Sequence, residues 1–252
     1  MVTIPGVILD SVGNERAVID STTSETITRQ LTNVFEDDFV GAGHTAGIPV
    51  AGSPVAGYAW VKKIQGAAPP TVAVVANGAN GIISLALAAN SEKEEATLYQ
   101  NDQLTWDVTK GLVYENRVAF AVLPSVVGVE FVFGMQSSWI DGPDNASYFL
   151  RFQANGSGAV NCQSYDGITN TNVASGVTLV AGVYHFFRID AANPADIGFF
   201  IDGIRVNAIG SVGFAATGAA AILQLQSTAY KAAGTGVGTL NIDFIAVGCN
   251  RV

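Results

Sequence analysis

Three acidic residues of this chain stand close enough together to supply paired carboxyl groups: Glu92, Glu94 and Glu95. Retaining hydrolysis of a glycosidic bond needs two carboxyl groups ~5–5.5 Å apart. Glu92 and Glu94 would share a face of a strand, because side chains alternate between the two faces. No third carboxylate follows at a matching spacing, and no tryptophan adjoins them. The sequence therefore predicts a solvated acidic turn.

The two histidines offer no clearer catalytic site. A Ser-His-Asp triad would have to use His44, in the glycine-rich segment 41–47, or His185, which precedes two phenylalanines. The chain lacks the Gly-x-Ser-x-Gly motif that exposes a nucleophilic serine at a sharp turn. We expect His185 to be a packed or edge residue, and we predict that the chain is not an enzyme.

One loop combines an aromatic side chain with several oxygen ligands: Trp139, Asp141, Asp144 and Asn145 lie within seven residues. Carboxylate and amide oxygens are the ligands that Ca²⁺ prefers, and an indole ring can stack on a sugar. The sequence favours a simple Gly-Pro turn with a partly exposed Trp139, and it leaves a carbohydrate-binding loop as the alternative. We predict no metal and no cofactor.

The chain has few charged residues, and its net charge is negative. Charged residues make up 13% of the chain and the net charge is −9, where about 25% charged residues is usual. The 12 basic residues are scattered, with Lys62 and Lys63 as the one adjacent pair, which argues against binding of nucleic acid. No segment offers the ~20 consecutive apolar residues of a membrane helix. A surface so poor in charge suggests burial against other subunits.

The two cysteines, Cys162 and Cys249, lie far apart in the sequence and form no Cys-x-x-Cys motif. Zinc and redox sites use that spacing. The sequence favours two buried free thiols and leaves open whether the two cysteines pair.

The chain divides into a polar N-terminal arm, residues 1–34, and a β-rich domain, residues 35–252. In the domain, short apolar runs alternate with Gly, Asn, Asp and Pro, which is typical of strands joined by turns. Strands are expected at 82–89, 95–100, 103–108, 112–123, 129–136, 148–154, 160–165, 178–180, 184–190, 197–201, 204–208, 221–227 and 240–247. We predict an all-β fold of two packed antiparallel sheets.

Two local patterns support that fold. Asp202 and Gly203 separate two apolar runs, as in a two-residue hairpin turn. The alternation around Phe149 places Arg151 and Gln153 together on the solvent face of a strand.

Several of these segments, in order from about residue 36 to 250, resemble the concanavalin A-like lectin/glucanase (laminin G-like) jelly roll. More narrowly, they resemble the versions found in virion proteins of tailed bacteriophages. The segments that carry the resemblance are 36–39, 81–123, 184–190, 198–206 and 240–247. The resemblance implies a jelly-roll sandwich with an extended N-terminal arm.

Together with the charge-poor surface, the resemblance implies a capsid decoration (cement) protein. Such a protein would bind the major capsid protein as a homotrimer on the virion surface, after assembly in the host cytoplasm. Lys62, Lys63 and the arm are the expected capsid contacts. The alternative is a carbohydrate-binding module of a phage tail fibre or a secreted protein, acting through the loop of Trp139. A third reading is a glycoside hydrolase with a degenerate site at Glu92 or Glu94.

Overall fold

The structure is a computed structural model. It describes most of the predicted β domain with side chains, and part of the arm as backbone. It describes only the backbone of 3–4, 7–12 and 15–20. Backbone and side chains are described for residues 33–40, 47–52, 59–78, 81–126 and 128–250.

The described residues form β-strands and three short 3-10 turns, with no α-helix among them. In chain order the strands are β1 (Thr3–Ile4), β2 (Val7–Val12), β3 (Glu15–Asp20), β4 (Asn33–Asp37), β5 (Val61–Gln65), β6 (Thr71–Val74), β7 (Ile83–Ala86), β8 (Glu94–Tyr99), β9 (Trp106–Asp107), β10 (Leu112–Val122), β11 (Val129–Gln136), β12 (Phe149–Asn155), β13 (Ala159–Tyr165), β14 (Asn170–Thr178), β15 (Tyr184–Ala191), β16 (Gly198–Ile201), β17 (Ile204–Arg205), β18 (Ile222–Lys231) and β19 (Thr239–Cys249). The 3-10 turns are Val108–Lys110, Pro143–Asn145 and Gly218–Ala221.

Two eight-stranded antiparallel sheets form the domain. The first has the order β17-β16-β15-β10-β19-β7-β6, and β4 also pairs with β19. The second has the order β14-β13-β12-β11-β18-β8-β5, and β9 also pairs with β18. A separate three-stranded sheet contains β1, β2 and β3. The predicted all-β, two-sheet architecture is confirmed.

Aromatic side chains fill the space between the two sheets. Phe187 and Phe199 of the first sheet pack edge-on against Phe133 and Phe152 of the second, with ring centroids 4.9 to 5.0 Å apart. All four rings are buried. Alternate residues of each strand therefore face this shared core, and the others face outward.

The hairpin at Asp202 and Gly203 is confirmed. It joins β16 to β17, where Ile201 pairs with Ile204. Both turn residues have positive φ, 50° and 80°, which is the geometry of a type I′ turn. Glycine tolerates this conformation because it has no Cβ.

Some strands differ from the prediction. The expected strand 103–108 is reduced to Trp106–Asp107, and β5 was not expected at all. The strand expected at 178–180 is instead β14, which spans Asn170–Thr178 and is rich in Asn, Thr and Ser. The Asn, Ala and Gly residues of this segment disfavour a strand, so pairing with β13 decides its conformation. The division of the chain at residue 34 stays a prediction.

The structure tests the predictions made for the two cysteines and for membrane-spanning helices. Cys162 and Cys249 are both buried and free, which confirms the favoured interpretation. Burial raises the pKa of the Cys162 thiol to about 12. Within the described ranges, no helix has the length and hydropathy that a membrane crossing requires.

Candidate functional site

The outward side of the second sheet carries a set of polar side chains that are nevertheless buried. In β11, Phe131 and Phe133 face the core, so Glu130 and Gln136 face outward. We call the following residues the polar face: Glu95, Thr97, Glu130, Gln136, Arg151, Gln153, Gln163, Gln226 and Thr228.

Arg151 and Gln153 share this face, as predicted, but they are only 2% and 5% exposed, so the prediction that they face solvent was wrong. A loop folds across part of the face. We call residues 137–147 the Trp139 loop. Its Trp139 Nε1 donates to Glu95 Oε1 over 2.6 Å, and its Gly142 N donates to Glu95 Oε2 over 3.2 Å. Arg151 Nη1 donates to the Pro143 carbonyl over 2.8 Å, and Arg151 also forms an ion pair with Asp144. The loop is therefore bound to both halves of the polar face.

Glu95 is the anchor of the Trp139 loop. Besides the two loop donors, its Oε1 accepts a hydrogen bond from Thr97 Oγ1 over 2.8 Å. Burial raises the pKa of Glu95, and the hydrogen bonds from Trp139, Thr97 and Gly142 oppose that rise. These donors favour the carboxylate form, since each one stabilises negative charge.

Glu130 is a second carboxyl group on the same face. Tyr230 of β18 pairs with Glu95 on one side and with Glu130 on the other, so the two backbones lie about 9–10 Å apart, two strand spacings. Glu130 Oε2 accepts from Gln153 Nε2 over 2.6 Å. Burial raises the pKa of Glu130 to about 7, and the negative charge of Asp144 adds to the rise.

A chain of hydrogen bonds connects Glu130 to the Trp139 loop. Arg151 Nε donates to Gln163 Oε1 over 2.8 Å, and Gln163 Nε2 donates to Gln153 Oε1 over 2.7 Å. Gln153 then donates to Glu130, so the chain runs from a guanidinium to a carboxyl group. Because Arg151 also holds Asp144, the charge of Glu130 is coupled to the anchoring of the loop.

Two amide atoms of the polar face make no hydrogen bond within the described part of the chain. They are Gln136 Nε2, a donor, and Gln226 Oε1, an acceptor. The side chains are only 2% and 3% exposed. A buried polar atom without a partner is costly, and a hydroxyl group can satisfy both kinds of atom.

A groove of about 550 Å³ lies beside the Trp139 loop. Its lining residues are Leu104, Ser137, Ser138, Trp139, Ile140, Ser147, Tyr148, Ala219, Ala220 and Ile222. Trp139 is half-buried, and its backbone N donates to Asp102 Oδ1 over 2.6 Å. Lys63 Nζ lies 4.6 Å from the centroid of its ring. Trp139 is thus held in place by contacts to the edge of its ring, to one face of the ring and to its backbone N–H.

The sequence matches no protein-family model and no curated protein, but solved structures share its fold. A protein of unknown function from Shewanella oneidensis MR-1 has a TM-score of 0.59 and 12% identity over 88% of this chain and 89% of the other. An endo-β-1,4-glucuronan lyase from the fungus Trichoderma reesei has a TM-score of 0.57 and 12% identity over 87% and 96%. A Bacillus licheniformis β-glucanase has a TM-score of 0.53 and 16% identity over 86% and 98%. The chain has the concanavalin A-like jelly-roll fold.

The jelly roll confirms the fold prediction and corrects one conclusion drawn beside it. We predicted that the chain is not an enzyme, and the comparisons contradict this, because the lyase and the β-glucanase are enzymes built on the same jelly roll. The prediction rested on carboxylates that lie close together in the sequence, and the fold that the chain shares with these enzymes corrects it. Glu95 and Glu130 come from different strands and share one face of the sheet, with β18 between them. The alternation of Glu130 and Gln136 with apolar residues was the signal that could have found them.

The predicted oxygen ligands of the loop do not converge in this jelly roll. Asp141 forms an ion pair with Lys93, and Asp144 forms one with Arg151. Asn145 Nδ2 donates to the Asp141 carbonyl over 2.7 Å. No group of three or more His, Cys, Asp or Glu side chains in the described ranges could hold a metal ion. Of the four predicted loop residues, Trp139 is the one that lines the groove.

Lys62 and Lys63 point to opposite faces of β5, because neighbouring residues of a strand alternate. Lys62 Nζ lies 3.5 Å from the Val72 carbonyl, whereas Lys63 lies against Trp139. Only Lys63 therefore reaches the candidate site. Contact of either lysine with a capsid stays a prediction.

The predicted solvated acidic turn is wrong for two of its three residues. Glu94 and Glu95 begin β8 and are fully buried on opposite faces. Glu94 forms an ion pair with Lys231 over 3.3 Å. Glu92 binds two backbone N–H groups of a neighbouring turn, which lowers its pKa. The sequence pattern missed this because the partners come from distant segments.

The structure describes one of the two histidines, His185. His185 lies on β15, and its Nδ1 is 2.7 Å from Asp202 Oδ2 at the hairpin turn. β15 lies between β10 and β16, and the His185 side chain is 20% exposed, so His185 is a packed residue and not an edge residue. His44 lies outside the described residues.

Proposed function

We propose that this protein binds a glycan in the groove beside Trp139. The observation that carries the proposal is a half-buried indole that lines a groove and is fixed in orientation before any ligand arrives. The jelly roll is a fold that glycan-cleaving enzymes use, which is consistent with a glycan ligand.

The chemistry of the groove suits a sugar. Trp139 and Tyr148 offer aromatic surface, and Ser137, Ser138 and Ser147 offer hydroxyl groups. Sugar rings have apolar C–H faces that pack on aromatic rings and hydroxyl edges that need polar partners. A volume of about 550 Å³ is within the usual range for small-molecule sites, ~300–1,000 Å³.

The fixed position of Trp139 reduces the entropy that binding would cost. Glu95 holds the indole N–H, and Asp102 holds the backbone N–H. Lys63 occupies one face of the ring, so a sugar would stack on the other face. Affinity gained in this way comes from preorganisation.

Two amide atoms of the polar face, which lie outside the lining of the groove, could bind hydroxyl groups of a ligand that reached beneath the Trp139 loop. Gln136 Nε2 lacks an acceptor and Gln226 Oε1 lacks a donor within the described chain. Gln136 directly precedes the Trp139 loop in sequence. A sugar hydroxyl that entered beneath the loop would accept from the first amide and donate to the second.

The test is a glycan array followed by calorimetry on the best ligand. Trp139→Ala should weaken binding about 10- to 100-fold, because it removes ~1.5–3 kcal/mol of aromatic burial. Trp139→Phe should retain part of the affinity. The matched control is Phe186→Ala, which removes an exposed aromatic from the outer face of the other sheet and should leave affinity unchanged.

Two results would contradict glycan binding: no bound glycan on a broad array, or equal affinity of the wild type and Trp139→Ala. The same mixtures should be assayed for new reducing ends. Cleavage that is lost in Glu130→Gln would extend the proposal from binding to catalysis that depends on Glu130.

A second proposal is the capsid decoration role expected from the sequence, with the major capsid protein as partner in a homotrimer. Several large aliphatic side chains are exposed, among them Ile168 at 90%, Ile209 at 82% and Ile204 at 71%, and such side chains favour burial against a partner. The purified protein should rebind tailed-phage shells stripped of decoration protein, and replacement of the three isoleucines by serine should weaken rebinding. No sedimentation with shells would reject this role.

A further inference from the structure

The main strand paths of the two sheets end at four strands, and three of these are short, charged or covered. β17 has two residues, one of which, Arg205, forms an ion pair with Asp196. β6 has four residues, and Lys62 of β5 reaches the carbonyl of its Val72. The β5 and β6 edges therefore lie against each other, and β5 carries the positive charges of Lys62 and Lys63.

The fourth edge, β14, is long and uncharged, and a register shift near Gly176 is its one protection within the described part of the chain. It spans nine residues, Asn170–Thr178, and contains neither a charged residue nor a proline. Within the described part of the chain, β13 is the strand that pairs with it, and its other side is open. Natural proteins protect edge strands with charge, proline, bulges or short length, because an open edge pairs with other chains.

The alternation of β14 is regular and suits a continuing sheet. Thr171, Val173, Ser175 and Val177 are half-buried, and the residues between them are exposed. Val173 and Val177 pack against the core. A strand added beside β14 would extend both faces of the second sheet without burying a charge.

One irregularity limits the usable length. Gly176 has a φ of 73°, and the register with β13 shifts near its partner residues. Asn170–Ala174, in contrast, pairs residue by residue with β13. The flat and open part of the edge is therefore Asn170–Ala174.

We propose that β14 pairs antiparallel with β14 of a second copy of this chain, so that the second sheet continues across both copies. A second copy fits because the edge is uncharged, so self-pairing in any register brings no like charges together. Antiparallel pairing of identical strands has two-fold symmetry and closes at two copies. A trimer would need a different surface.

The test measures the mass in solution of the wild type and of two double variants. Asn172→Lys with Ala174→Lys adds two charges at exposed positions of β14, and would place lysines opposite lysines in the pair. The matched control, Thr71→Lys with Ala73→Lys, adds the same charges at exposed positions of β6. We expect the wild type and the control to reach twice the monomer mass of 26.1 kDa with rising concentration, and the β14 variant to stay monomeric.

Hydrogen exchange on the wild type gives a readout that needs no variant. The amides of β14 should become more protected as concentration rises, and those of β6 should not, because only paired amides exchange slowly. The proposal is overturned by a wild type that is monomeric at every concentration, by a β14 variant that still dimerises, or by protection that rises elsewhere and not in β14.

Discussion

Replacement of Lys231 by methionine removes one charge from an ion pair that is buried on both sides. Glu94 and Lys231 are directly paired across β8 and β18, and each side chain has 0% exposure. Lys231 Nζ also donates to the carbonyls of Ala88 and Asn90, over 2.6 and 2.7 Å. Methionine keeps most of the volume, so the loss is mainly electrostatic.

The cost follows from what the substitution leaves behind. Glu94 would become a buried carboxylate without its cation, and three backbone carbonyls, those of Ala88, Asn90 and Gly236, would lose a donor. Breaking a buried pair by removing one partner costs about 3–5 kcal/mol, a large fraction of the ~5–15 kcal/mol that stabilises a typical domain. The free energy of unfolding, measured in urea, should fall by this amount.

The chain offers a matched control in a second lysine ion pair. Lys93 pairs with Asp141, but the two side chains are 39% and 50% exposed. Lys93→Met should cost less than about 1 kcal/mol, because water screens the pair. The double variant Glu94→Gln, Lys231→Met should recover part of the loss, since it removes the uncompensated charge. Equal costs for Lys231→Met and Lys93→Met would refute this reasoning.

Two further predictions concern pH and the hairpin. Because the pKa of Glu130 is raised to about 7 in the folded protein from its ordinary ~4.5, its contribution to stability is present below about pH 4.5 and is lost as the pH rises through 7. This contribution is worth up to ~3 kcal/mol. The free energy of unfolding in urea, measured between pH 5 and 8, should therefore depend less on pH in Glu130→Gln than in the wild type. An equal pH dependence in both would contradict the burial of this carboxyl group. At the hairpin, Gly203→Ala should lower the free energy of unfolding by about 1 kcal/mol. The reason is that φ of Gly203 is 80°, where alanine is strained. No change in the same urea assay would argue against a type I′ turn.

The strands that the sequence predicted well are those with strong local signals. The apolar alternation around Phe131 and Phe152 and the Asp202-Gly203 turn depend on neighbouring residues alone. β14 was missed because its Asn, Thr and Ser residues resemble a loop, and only pairing with β13 makes it a strand. Strand propensity depends strongly on such context.

Of the residues of the candidate site, only Trp139 was predicted from the sequence. Trp139 was selected from the composition of its loop, and the structure places it in a groove. Glu130 was missed, although its outward position follows from the alternation of β11. Its closeness to Glu95 depends on the order of β8, β18 and β11 in the sheet, which no local pattern contains. The contacts of Glu95 and Arg151 with the Trp139 loop depend on that loop folding back over the sheet, which is equally non-local.

Indole fluorescence during a titration with the glycan selected by the array tests the central proposal most directly. The chain has three tryptophans, and Trp60 and Trp106 are only 1% and 4% exposed, so a change in emission on binding would report on Trp139. We predict a saturable change in the wild type that disappears in Trp139→Phe. Saturable binding by calorimetry with unchanged emission in the wild type would contradict a glycan site at Trp139.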